Sequence, residues 1–139
     1  MNIKLFDERC MPTRAHITDA GYDCVAYNDV LLYPGQVTKV PLGFAVELWD
    51  GHEAQIRGRS GLAAKGIFCH VGTIDSAYRA EVAALLIYHV HPSERPFLIK
   101  AGERVAQMVI AKVETPLLYR ADVLSDSDRG ANGFGSTGK

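Results

Sequence analysis

Apolar and polar residues alternate most clearly over positions 39–48, where Val40, Leu42, Phe44, Val46 and Leu48 interleave with Lys39, Pro41, Gly43, Ala45 and Glu47. A period of two sends successive side chains to opposite faces, so this stretch predicts one strand with a face in a core. Asp50-Gly51 follows as a tight turn. Beyond it Ala54, Ile56 and Gly58 alternate against Gln55, Arg57 and Arg59, which predicts a second strand and a hairpin. Residues 82–90, VAALLIYHV, are apolar on both faces and suit a central strand, and RVAQMVIAKV over 104–113 predicts another. The flanking Pro92, Pro96, Gly102 and Pro116 favour strands over helices in both runs. One helical turn is expected near Leu62–Lys65, between Gly61 and Gly66. The pattern predicts an all-β domain of two packed layers or a distorted barrel, with no repeat and no linker.

Composition narrows the function classes. With 139 residues, 47% hydrophobic and 22% charged, the chain is an ordinary globular domain. Fifteen Lys and Arg against sixteen Asp and Glu give a net charge of -1, which removes bulk attraction for nucleic acid or an anionic membrane. No apolar run approaches ~18 residues, and the opening MNIKLFDERC lacks the apolar stretch of a signal peptide. Cys10, Cys24 and Cys69 form no CxxC, and an odd count fits free thiols in a reducing compartment. A cytoplasmic protein is expected, within a host cell if the source is viral, with neither nucleic acid nor membrane as partner.

Five segments carry candidate chemistry. GRSGLAAKG (58–66) offers the Arg59 guanidinium, the Ser60 hydroxyl and the unobstructed Gly61 backbone N–H at a strand end, which suits an anion such as a phosphoryl oxygen or a plain strand-to-helix turn. GTIDSAYRAE (72–81) places Asp75 after an apolar residue and before a serine, as a hairpin opener or as a general base with Tyr78 as a sugar platform. DAGYD (19–23) adds carboxylates beside a glycine, and GERVAQ (102–107) a neutral amide on a strand. From Ser125 onward, SDSDRGANGFGSTGK holds one large apolar residue, Phe134, and fits either a disordered terminus or a glycine-rich flap that orders over a ligand. Gly133, Gly138 and Lys139 mimic part of a phosphate-binding P-loop, but no hydroxyl residue or helix follows the lysine. His89 and His91 share a strand face without a clear third ligand, so a surface or interface role is expected for them.

DAGYDCVA (19–26), GRSGLAAKG (58–66), GTIDSAYRAE (72–81), GERVAQMVI (102–110) and RGANGFGSTG (129–138) resemble, in order and spacing, the five motifs of the trimeric deoxyuridine triphosphatase (dUTPase) family. The resemblance spans residues 19–138. It implies a distorted jelly-roll-like β-barrel with one short helical turn over residues 1–128 and a flexible glycine-rich C-terminal flap over 129–139. It further implies hydrolysis of dUTP to dUMP and pyrophosphate with Mg²⁺, in a homotrimer whose sites are shared between chains. By similarity Asp75 is the base for the attacking water and Tyr78 packs on the deoxyribose. Asp23 reaches the metal through water. Arg59, Ser60, Gly61 and Gln107 contact phosphates, while Gly72 and Ile74 belong to the nucleoside-binding hairpin. In the tail, Arg129 pairs with the γ-phosphate, Phe134 stacks on uracil, and Gly135, Ser136 and Thr137 donate to the γ-phosphate.

Three positions depart from the commoner pattern. Ala80 stands where the family often has glycine, and Asn132 where glycine is frequent. Cys69 stands where many bacterial members have an asparagine that reads the uracil edge; members without it rely on hairpin backbone groups. Two rival readings share the fold. A dCTP deaminase would carry a glutamate base and an arginine a few residues after the serine motif, where this chain has Asp75 and Leu62-Ala63-Ala64-Lys65. A nucleotide-responsive regulatory protein would carry an inserted segment between motifs, and this chain has none.

Overall fold

A computed structural model describes residues 1–131. Eleven strands follow in order: β1 (Asn2–Leu5), β2 (Gly21–Val25), β3 (Val30–Leu32), β4 (Val37–Pro41), β5 (Phe44–Glu47), β6 (His52–Arg57), β7 (Ile67–His70), β8 (Gly72–Ile74), β9 (Ala83–Tyr88), β10 (Phe97–Ile99) and β11 (Arg104–Lys112). One α-helical turn, α1 (Ser60–Ala63), links β6 to β7. It begins two residues before the expected turn. A second turn, a 3₁₀ segment at Glu8–Cys10, has no counterpart in the sequence pattern. Its cap is the Asp7 carboxylate, which accepts from the Arg9 backbone N–H at 2.9 Å. The Arg9 side chain bonds the same carboxylate and holds it well down, at about 2.

All strand ladders are antiparallel and form four small sheets: β1-β5, β3-β10, β4-β9-β7 and β2-β11-β6-β8. The 82–90 run takes the central place the sequence predicts, as β9 between β4 and β7, and the 104–113 strand, β11, is also central, between β2 and β6. Inward faces from these sheets meet in one core that includes Leu32, Val40, Leu42, Phe44, Ile56, Ile67, Val82, Leu86, Ile99 and Val105. Burying a side chain of this size contributes about 1.5–3 kcal/mol each, enough to hold short strands that could not stand alone. Cys24 lies wholly within this core, and burial pushes its thiol up to about 12.

The 39–48 strand does not run unbroken. Val40, Leu42, Phe44, Val46 and Leu48 are all buried as expected, but the chain kinks at Gly43, where φ is +71°. A Cβ there would collide with the Cys10 sulfur. The kink hands β4 to one sheet and β5 to another, so β5 pairs with β1 and not with β6. The expected hairpin is therefore absent. Its turn exists, with the Trp49 carbonyl accepting from the His52 N–H at 3.2 Å and Gly51 at φ +70°. It crosses between sheets instead of closing one. Periodicity sets which side chains face inward; it carries no information on which edge a strand joins.

Candidate active site

The motif segments assemble into two separate regions of the barrel. The first gathers around Asp23 on β2. In register, Asp23 lies opposite Gln107 of β11, and Gln107 lies opposite Arg57 of β6. Arg59 follows just beyond β6 and places Nη1 3.0 Å from Asp23 Oδ1. Arg104 closes the other side, with Nη1 3.2 Å from Oδ2. One carboxylate is thus held between two guanidiniums. The Arg59 Nη1 is buried and misaligned for a hydrogen bond despite its charge contact, so this donor stands ready for another acceptor.

Period-two alternation would set Arg104 and Gln107, three apart, on opposite faces of β11. A bulge between Arg104 and Ala106 shifts the register and brings both to the Asp23 side. Sequence reasoning misses Arg104 for this reason, although it stands inside GERVAQ. Gln107 donates from Nε2 to the Gly58 carbonyl at 2.9 Å, which fixes the start of the Arg59-Ser60-Gly61 turn. The amide fits because position 21 is glycine; a Cβ there would overlap Gln107 Oε1.

Beside this network lies a depression of about 580 Å³, bordered by Arg59, Ser60, Gly61, Lys65, Glu103 and Arg104 among others. No side chain caps the first turn of α1, so its leading N–H groups lack a capping acceptor. A Cβ at Gly61 would meet nothing within 4 Å, which leaves the backbone open to a ligand. Lys65 likewise stands in a motif without a role that the sequence assigns. Three cations and uncapped N–H groups against two carboxylates, Asp23 and Glu103, favour a polyanion.

The second region is built on β8 and the turn after it. Asp75 follows β8 and is exposed, and its carbonyl accepts from the Tyr78 N–H at 3.0 Å. The Tyr78 hydroxyl donates to the Glu81 carbonyl at 3.2 Å, and Glu81 Oε1 accepts from the Gly43 N–H at 3.1 Å. Val82 exchanges backbone bonds with Leu42 and Phe44. The turn is therefore anchored on the same kink that splits β4 from β5. A depression of about 250 Å³ lies here, bordered by His70, Gly72, Thr73, Asp75 and Tyr78 over an apolar floor of Ile56, Ile74 and Val82. Ile74 is 8% exposed, so what it offers a ligand is its backbone. Ala80 is exposed.

The two depressions have no bordering residue in common. One chain brings Asp23, Arg59, Ser60, Gly61 and Gln107 together and keeps Gly72, Asp75 and Tyr78 apart from them. Arg129 is exposed in a turn where Gly130 N–H donates to the Ser127 carbonyl at 3.0 Å. The expected contacts of Phe134, Gly135, Ser136 and Thr137 lie outside the described residues, as does Asn132. Among the described residues no three His, Cys, Asp or Glu side chains gather as a metal cage. The Asp23 carboxylate beside a cationic depression fits Mg²⁺ that keeps its waters and is held chiefly by a ligand's phosphates. No helix among these residues is long and apolar enough to cross a membrane.

An antiparallel barrel that sets a polyanion depression apart from an aspartate–tyrosine depression defines a protein built for a phosphorylated nucleoside. Comparison with known proteins narrows the class. The dUTPase family model matches residues 7–138. A deoxyuridine 5'-triphosphate nucleotidohydrolase of Nautilia profundicola is 45% identical over 139 residues, covering 98% of this chain and 96% of its own. The Staphylococcus bacteriophage 80alpha dUTPase, solved with dUPNHPP, superposes with a TM-score of 0.85 at 30% identity, covering 99% of this chain and 98% of that one. A mutant dUTPase from phage phi11 of S. aureus, solved with a structural Mg(II) ion, shares the fold at 24% identity and a TM-score of 0.81, over 88% and 96% of the two chains. This chain belongs to the dUTPase family, and its barrel is the family's jelly roll.

Proposed function

We propose that this chain hydrolyses dUTP to dUMP and pyrophosphate at a site completed only when copies of the chain associate. The activity follows from the family match over residues 7–138; the observation that carries the shared site is the separation of the two depressions. The nucleoside end, with Asp75 and Tyr78, would be supplied by one copy and the phosphate end, with Arg59, Ser60, Gly61 and Gln107, by another. Exposed apolar surface supports association. Leu117, Leu118, Tyr119, Val123 and Leu124 are 78–94% exposed, and Val37, Phe68 and Leu85 stand exposed on the β4-β9-β7 sheet. Apolar surface on this scale marks an interaction face. A homotrimer, with residues 1–128 as barrel and 129–139 as a flap over a neighbour's site, is the arrangement proposed.

In the reaction Asp75 orients a water and takes its proton as the water oxygen bonds to the α-phosphorus. The bond to the α–β bridging oxygen breaks and pyrophosphate leaves. Arg59, the Ser60 hydroxyl, the Gly61 N–H and the Gln107 amide receive the charge that builds on the phosphoryl oxygens. Asp23 would hold Mg²⁺ through water, and the ion, when bound with the triphosphate, would supply charge neutralisation and make pyrophosphate a better leaving group. Tyr78 packs on the deoxyribose where a 2′-hydroxyl would clash. In the flap Arg129 pairs with the γ-phosphate, Phe134 stacks on uracil, and Gly135, Ser136 and Thr137 donate to the γ-phosphate.

Two measurements test this. A panel of dUTP, dTTP, dCTP and UTP with Mg²⁺ should release pyrophosphate from dUTP alone. An Asp75→Asn variant and one truncated before Arg129, each inactive alone, should recover about a quarter of wild-type activity when unfolded and refolded together, as random cyclic assembly with donation in trans requires. A mixture that forms mixed trimers and remains inactive would refute the donation of the flap to the Asp75 of another copy.

A further inference from the structure

With no asparagine at position 69, hairpin backbone groups are left to read the base, and no side chain is assigned to it. Position 69 carries a thiol where an amide is the expected reader, and that thiol donates to the neighbouring His70 carbonyl at 3.3 Å. Cys69 does not border the nucleoside depression; His70, one residue on, does. His70 is the last residue of β7, exposed, and opposite Leu85 of β9 in the ladder. Of the polar side chains around this depression, Asp75 and Tyr78 have work in the proposed reaction. Thr73 alternates with Gly72 and Ile74 and also borders a second depression with His52 and Glu53. The remaining walls, Ile56, Ile74, Val82, Ala83 and Leu85, are apolar. The imidazole of His70 is the polar side chain left bordering the pocket with no other task.

We propose that His70 reads the pyrimidine ring in this chain, donating a ring N–H to the 4-carbonyl of uracil. The proposal rests on this depression being the nucleoside site. Uracil offers an acceptor at C4 and cytosine an amine, so a donor pairs with one and confronts a second donor in the other. A polar group left unpaired in a closed pocket discriminates more strongly than any loss of packing. An exposed side chain at a strand end replaces the amide that would have hung from position 69. Because His70 is exposed in the chain alone, substituting it should leave the barrel intact.

His70→Leu should raise KM for dUTP about tenfold, the worth of one hydrogen bond, with a smaller change in kcat. The preference for dUTP over dCTP in kcat/KM should fall by about the same factor. His70→Asn, which restores a donor, should recover most of both. In protein labelled at histidine, the His70 ring resonances, assigned by their loss in His70→Asn, should move saturably on adding dUMP. The proposal is overturned if the His70→Leu variant keeps KM and preference within twofold, or if the His70 ring does not respond while dUMP binds. Failure of the underlying reading looks different: the unmodified protein would then release no pyrophosphate from dUTP.

Discussion

The two halves of the site are made in opposite ways. Around Asp23 the side chains are held by strand register: β2, β11 and β6 align Asp23, Gln107 and Arg57 in one row, a bulge adds Arg104, and the Gln107 amide ties the row to Gly58. The Asp23 carboxylate there already has a cation on each oxygen. Around Asp75 the elements are short, with a three-residue strand, an exposed carboxylate and a turn closed by backbone bonds. A preorganised cationic cradle suits a polyanion on whose oxygens charge builds during the reaction, since fixed donors need no reordering. In the proposed reaction a base that must meet a water and a triphosphate held by another copy is better left open, and the anchoring of its turn through Glu81 to Gly43 sets its position without covering it.

Breaking each half should have a different signature. Asp75→Asn removes the base and little else; turnover should fall about 10²-fold or more while the melting temperature stays nearly unchanged. Steady-state kinetics beside a thermal melt would show it, and a destabilised protein would mean that Asp75 is structural. Arg104→Met should act on binding: one of the cations facing the phosphates is lost, so KM should rise about tenfold with kcat less affected. The pair it forms with Asp23 is solvent-exposed on the arginine side and contributes about 0–1 kcal/mol, so stability should hardly change. Gly21→Ala is the mildest. The new methyl displaces the Gln107 side chain and frees the Gly58 carbonyl, which should raise KM about threefold, measurable against an unchanged kcat.

Much of the site was legible because its residues occur in short strings whose members stay together in space. GRSGLAAKG is one turn at a strand end, and GTIDSAYRAE is one strand and its turn. Arg104 was hidden because a bulge changes the face of every residue before it, and nothing in RVAQMVIAKV marks where the extra residue sits. His70 was hidden because its significance comes from what Cys69 does with its thiol.

The sequence by itself determined the fold class, the central place of β9, the strand over β11, the inward set Val40, Leu42, Phe44, Val46 and Leu48, and which strings hold candidate chemistry. These follow from side-chain period and residue type, which are properties of the local chain. Tertiary structure alone decided that the chain breaks at Gly43, that β5 joins β1, and that Asp23 sits between Arg59 and Arg104. It also decided that Asp75 lies apart from the cationic depression. Each of these depends on which distant backbone edge a strand meets. That choice is made by the packing of the whole core, and no window of neighbouring residues contains it.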